Sequence, residues 1–174
     1  MTEIFKKLLN AHQPEQVRDV LIQIGKAKYR FEPVGNRKNN LATINIGTDP
    51  AAGVTERITN AIDAVLEKEW MYQGEPNDIK SPRRASEIWY GIENGKISRI
   101  KDPHDKKLKD LSDLVNITLY DSGQPTKPTV EIRDKGIGLE PEQFSKTILD
   151  LNGNNKIGNL HLMGAYGQGS STAL

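Results

Sequence analysis

GVTERITNAIDAVLEKE, residues 53–69, is the stretch on which the fold turns. At about 100° per residue, Glu56, Asn60, Asp63 and Glu67 fall within a narrow arc of a helix, while Val54, Ile58, Ala61, Ile62 and Val65 lie on the opposite side. One face is expected to pack and the other to offer carboxylates and an amide. Asp49 can cap this helix, Pro50 suits its first position, and the run to Trp70 holds a single glycine near its start. A solvated stripe is the ordinary reading of such a helix, so the stripe gains meaning only from its surroundings.

Working outward, residues 2–10 and 14–27 space their apolar positions as two short amphipathic helices, with Ile4, Leu8 and Leu9 in one and Val17, Val20, Leu21 and Ile24 in the other. After a turn-prone stretch at 35–40, LATINIG (41–47) alternates as a strand that ends at Gly47. Downstream of the long helix, residues 71–112 mix a turn at Gln73–Asn77, a helix from Ser81 to Tyr90 and the charged run KDPHDKKLKD, and read as an insertion. VNITLY (115–120) and TVEIRD (129–134) then alternate as strands joined by DSGQPTKP, an expected antiparallel pair. A helix is expected from Pro141 to about Leu151, followed by the polar loop NGNNKIGN and a glycine-rich end.

The 174 residues are 36% hydrophobic and 27% charged, the balance of a globular chain with one compact core. Twenty-four basic against twenty-three acidic residues leave +1, so net charge gives no reason to expect nucleic acid or an anionic membrane as partner. Ser81-Pro82-Arg83-Arg84 and KDPHDKKLKD are local candidates for nucleic-acid contact, but a solvated charged surface is the favoured reading. The lack of cysteine excludes disulfides, thiol catalysis and cysteine-ligated zinc. His12, His104 and His161 show none of the close spacings of a histidine metal site. MTEIFKKLLNAHQPE has no apolar stretch long enough for a signal sequence or a membrane span, and the expected location is cytoplasmic.

Two further segments carry chemistry. Strand parity puts Asp134 on the face of Val130 and Ile132, at the expected edge of the core, where its carboxylate needs a hydrogen-bond donor. Lys135-Gly136-Ile137-Gly138 follows as a tight exit that permits close backbone approach. A flat ligand with an exocyclic amine would satisfy Asp134; a solvated turn aspartate is the plainer alternative. In GAYGQGSS, Gly164, Gly167 and Gly169 offer successive backbone amides ahead of Ser170, an arrangement suited to an anion such as phosphate. No Gly-Lys-Ser/Thr follows, so this is not a P-loop, and neither glycine segment completes the Rossmann spacing.

Taken in order, the three segments resemble the motifs of the GHKL (Bergerat-fold) ATPase superfamily, nearest in style to its MutL, heat-shock chaperone and MORC branches. Glu56 to Ala64 resembles the N-box, Asp134-Lys135-Gly136-Ile137-Gly138 the first glycine motif, and Gly164 to Gly169 the second. The resemblance covers residues 41–174 apart from the insertion at about 71–112. It implies an α+β fold, a two-layer Bergerat-type sandwich whose mixed sheet is covered by helices on one face. It also implies that residues 1–174 are the N-terminal part of one ATP-binding domain, ending before its remaining strands, with an effector domain beyond Leu174.

By that resemblance Asp134 would accept from the adenine amine, with Gly138 shaping the base pocket and Gly136 also among the nucleotide-binding residues. Asn60 would ligate Mg2+ and Glu56 would orient or deprotonate the attacking water. Asp63 would line the nucleotide site or make a structural hydrogen bond. Residues 152–163 would form a flexible lid, with Lys156 reaching the terminal phosphates of ATP. Gly164, Gly167 and Gly169 would approach the phosphates by backbone. The function implied is ATP hydrolysis coupled through lid closure to homodimerisation or to an effector. A histidine-kinase-type phosphotransfer domain and a nucleotide sensor without turnover are the alternatives. His12, in NAHQPEQ, lacks the acidic residue and helical surroundings of a phosphoacceptor box.

Overall fold

The computed structural model describes residues 3–26, 50–146 and 158–164. Within them the chain is mixed helix and strand, an α+β architecture. The helices are α1 (Glu3–Leu9), α2 (Pro14–Lys26), α3 (Pro50–Tyr72), α4 (Pro82–Tyr90) and α5 (Lys106–Ser112), and the strands are β1 (Val115–Tyr120) and β2 (Thr129–Asp134). The strand expected at 41–47 and the capping Asp49 lie outside the described residues, as does the expected helix beyond Lys146. Pro141–Lys146, expected to begin that helix, forms a 3-10 turn.

Local chemistry accounts for several boundaries. Ser81 caps α4 by accepting from the Arg84 N–H at 3.1 Å, Pro82 occupies the first helical turn, and Gly91 closes the helix in the left-handed region at φ 57°. Asp105 caps α5 through the Lys107 N–H at 2.8 Å, which gives helical structure to part of the charged run KDPHDKKLKD. β1 and β2 form an antiparallel two-stranded sheet. Lys135 N–H donates to the Leu114 carbonyl at 2.9 Å, so Val115 stands opposite Asp134 and Tyr120 opposite Thr129.

The chain divides into two compact units. The first contains α1, α2 and residues 117–131 of the hairpin. Here the His12 ring stacks on Tyr120 with centroids 3.6 Å apart and planes within 8°, and Thr129 Oγ1 donates to the His12 carbonyl at 2.6 Å. These contacts engage the Tyr120 and Thr129 face of the hairpin. On the opposite face of the hairpin Ile117 is 50% and Leu119 65% exposed.

The second unit contains residues 33–116 and 132–174. Its core gathers Leu66 from α3, Ile79, Ala85 from α4 and Leu162, with Trp89 and Tyr90 packed against them. Ala85 is fully buried and Ile79 nearly so. The segment read as an insertion at 71–112 therefore supplies part of this core. Trp70 Nε1 donates to the Pro76 carbonyl at 3.2 Å, and Tyr90 OH to the Val65 carbonyl at 3.3 Å, tying the segment to α3 at Pro76 and at the end of α4. Among the described residues no helix is long and apolar enough to cross a membrane.

Candidate functional site

All the candidate residues that are described lie in the second unit, and α3 is their common support. The two-faced helix expected from residues 53–69 is corrected in one respect. Asp63, on the acidic stripe, is only 1% exposed, whereas Ile62, on the supposed packing side, is 37% exposed. A carboxylate is tolerated inside a protein when donors satisfy its oxygens, and two are present. Asp63 Oδ1 accepts from the Met163 N–H at 2.7 Å and Oδ2 from the Gly164 N–H at 2.9 Å. One edge of the acidic stripe is thus an internal contact with a segment a hundred residues downstream.

Glu56 and Asn60 are half-buried one turn apart, with Asn60 Nδ2 directed at Glu56 Oε1 over 3.5 Å. That distance is at the long limit of a hydrogen bond. The contact uses the carboxamide nitrogen, not the oxygen that the resemblance assigns to magnesium. Among the described residues no group of three or more histidine, aspartate or glutamate side chains could hold a metal ion.

Asp134 ends β2 but does not lie at the edge of the core as expected: it is exposed. On the same face of the strand, Val130 is 38% exposed and Ile132, next to Asp134 in parity, is half-buried. The donor that Asp134 was expected to need is supplied locally, because Gly136 N–H donates to its Oδ1 at 2.9 Å in an Asx turn. A carboxylate has about four acceptor positions, so this bond leaves capacity for an exocyclic amine.

The turn after β2 is fastened to α3. Ile137 N–H donates to the Ala64 carbonyl at 3.0 Å and Lys68 Nζ to the Lys135 carbonyl at 2.8 Å. A Cβ on Gly136 would lie 2.5 Å from Ala64 Cβ and 2.6 Å from its carbonyl carbon, so the close approach requires glycine. Gly138 has a different reason for being glycine: its φ is 70° and open space surrounds it. The N-box-like helix and the first glycine segment therefore meet at Ala64 and Gly136.

The third segment is described only as far as Gly164; Lys156, Gly167 and Gly169 lie outside the described residues. Of the expected lid, residues 158–163 are described, and two of them, His161 and Leu162, are buried while Leu160 and Met163 are exposed. His161 is 3% exposed, stacked on Trp70 at 4.7 Å and edge-on to Trp89 at 6.2 Å, and Leu162 is 7% exposed. Burial lowers the His161 pKa from its ordinary value, opposed by the charge of Asp63. Its Nε2 has no hydrogen-bond partner among the described residues. Sequence reasoning set His161 in a loop and missed both tryptophan contacts, for which periodicity carries no signal.

A shallow depression of about 410 Å³ is lined by hairpin-loop residues Asp121 and Gly123 to Pro128, and none of the nucleotide candidates borders it. No family model matches the chain, and no curated protein or solved structure matches it either.

Proposed function

We propose that this chain binds ATP against α3 and the turn after β2, and hydrolyses it with magnesium, as a GHKL-type ATPase domain built on a Bergerat-type sandwich. The observation that carries this reading is the meeting of Gly136 with Ala64. The first glycine motif and the N-box-like sequence are far apart in the chain, yet each supplies the small residue that the other's approach demands. The anchoring of Gly164 on Asp63 adds the third motif to the same helix.

In this reading Asp134 accepts from the adenine amine, Gly138 shapes the base pocket, Asn60 offers its oxygen to magnesium and Glu56 aims the attacking water. Lys156 and the later glycines serve the phosphates. Magnesium supplies charge neutralisation on the phosphate oxygens, and phosphoryl transfer depends more on such neutralisation and on in-line placement than on covalent help. Closure over the nucleotide would be coupled to homodimerisation or to an effector.

The test is steady-state phosphate release with magnesium, paired with calorimetric nucleotide binding. Glu56→Ala is expected to bind ATP like the parent while turnover falls about 100-fold or more, the range for loss of a general base. Asp134→Asn is expected to weaken binding of ATP and adenosine alike. A parent protein with no measurable affinity for adenine nucleotides in the presence of magnesium would refute the assignment. Unchanged turnover in Glu56→Ala would remove only the proposed base, and binding without turnover in the parent would favour a nucleotide sensor.

A further inference from the structure

We propose that Asp63 is a positioning residue that holds Met163 and Gly164 from inside α3, so that the Gly164 amide is committed to the protein and not to phosphate. The inference deepens the ATP-site reading and rests on it for its consequence; the anchor itself rests on geometry. Two successive backbone N–H groups converging on one anion form the arrangement that proteins use to bind phosphate. Here the anion is already in place, as the Asp63 oxygens accept from Met163 at 2.7 Å and Gly164 at 2.9 Å. Both bonds are shielded, because Asp63 is 1% exposed.

A second, independent contact fixes the same segment. The His161 ring is seated against Trp70 and Trp89 with its Nε2 buried and unpartnered among the described residues, so it holds its place by packing and not by hydrogen bonding. Leu162 enters the core between these two anchors. Residues 161 to 164 are thus held by a ring, an aliphatic side chain and two amides in succession. The carboxylate is the one member of that set whose two equivalent acceptors can be halved without removing an apolar contact, since an asparagine of the same shape offers a single oxygen.

The experiment uses the full chain. In the nucleotide-free parent, the Met163 and Gly164 amides are expected to be protected from hydrogen exchange by their bonds to Asp63. In Asp63→Asn, exchange of at least one of the two amides is expected to accelerate about tenfold or more, as for loss of a hydrogen bond to a charged group. ATP affinity is then expected to fall about tenfold while adenosine, which lacks phosphate, binds within about twofold of the parent. Parent amides at Met163 and Gly164 that exchange as fast as those of an unstructured chain would overturn the anchor, even if the variant failed to fold. Equal weakening of ATP and adenosine would overturn the positioning role, since it would place Asp63 at the base. Failure of the parent to bind either ligand would refute the ATP-site reading, while hydrogen exchange at Met163 and Gly164 still decides the anchor.

Discussion

Gly136→Ala is the perturbation whose size the structure fixes most closely. Gly136 is not among the glycines at positive φ, so alanine there meets no conformational obstacle and the whole effect is steric. The new methyl would stand 2.5 Å from Ala64 Cβ, 2.6 Å from the Ala64 carbonyl carbon and 2.8 Å from its oxygen. Two of those three atoms belong to the backbone of α3 and cannot rotate aside. The turn must therefore lift from the helix, which breaks the Ile137 to Ala64 hydrogen bond. Overpacking of this kind costs about 1–3 kcal/mol and the bond about 0.5–1.5 kcal/mol, so a loss near 2–4 kcal/mol is expected.

Urea unfolding followed by the fluorescence of Trp70 and Trp89 measures this loss, as a lower midpoint at unchanged slope. Gly138→Ala is the control, for its φ of 70° imposes backbone strain but no atom lies within 4 Å; it should cost about 1–2 kcal/mol. Adding Ala64→Gly to Gly136→Ala should restore only part of the loss, because the carbonyl contacts persist when the methyl contact is removed. A Gly136→Ala protein within about 0.5 kcal/mol of the parent, the range of an ordinary surface substitution, would refute the docking of this turn on α3.

Three other outcomes are expected. The His161 pKa in the folded protein lies below its ordinary value of 6.5, chiefly through burial, so the unfolded chain binds more protons between the two values. The stability it contributes is complete above the unfolded value and is lost as pH falls through the folded one; His161→Phe should flatten this acid limb in urea midpoints measured from about pH 7.5 to 5. Tyr90, half-buried and beside Glu69, is pushed up to about 12, so its contribution is complete below the unfolded value of 10 and lost as pH rises through about 12. Tyr90→Phe should remove that late tyrosinate transition and, with the bond to the Val65 carbonyl gone, cost about 0.5–1.5 kcal/mol in urea unfolding. Ala85→Leu, at a fully buried site, should lower stability by about 1–3 kcal/mol by overpacking, and an unchanged urea midpoint would count against the shared core.

Local signals were read well from sequence and distant ones were not. β1 and β2 occupy the spans expected from alternation, and Ser81 with Pro82 marked the start of α4, because pleat and capping are decided within a few residues. The charged run at 101–110 concealed α5, a seven-residue helix whose apolar Leu108 and Leu111 make too short a pattern to stand out. The core role of Ile79 and Ala85 was hidden for another reason: each is an isolated apolar residue among polar neighbours, and burial comes from α3 and Leu162, far away in the chain. The site divides in the same way. Glycine spacing pointed to a close approach at Gly136, whereas nothing around Asp63 revealed that its donors come from Met163 and Gly164.

One turn and a half of α3 explains why a two-faced description of this helix falls short. The Asp63 side chain receives two amides, the Ala64 carbonyl receives Ile137, the Val65 carbonyl receives Tyr90, and Lys68 reaches out to Lys135. Carbonyls inside a helix keep a second lone pair after bonding along the axis, but a neighbour reaches it only where side chains are small or point aside. Ala64 provides that opening, and Gly136 fits into it. Residues 63–68 are thus a junction at which the turn after β2, the end of α4 and the lead-in to the glycine loop are each bonded to one rigid rod. Glu56 and Asn60 project from the preceding two turns of the same rod. A displacement of either glycine segment therefore needs no relay of intermediate side chains to be felt at those two residues: the helix that carries them is the element both segments grip.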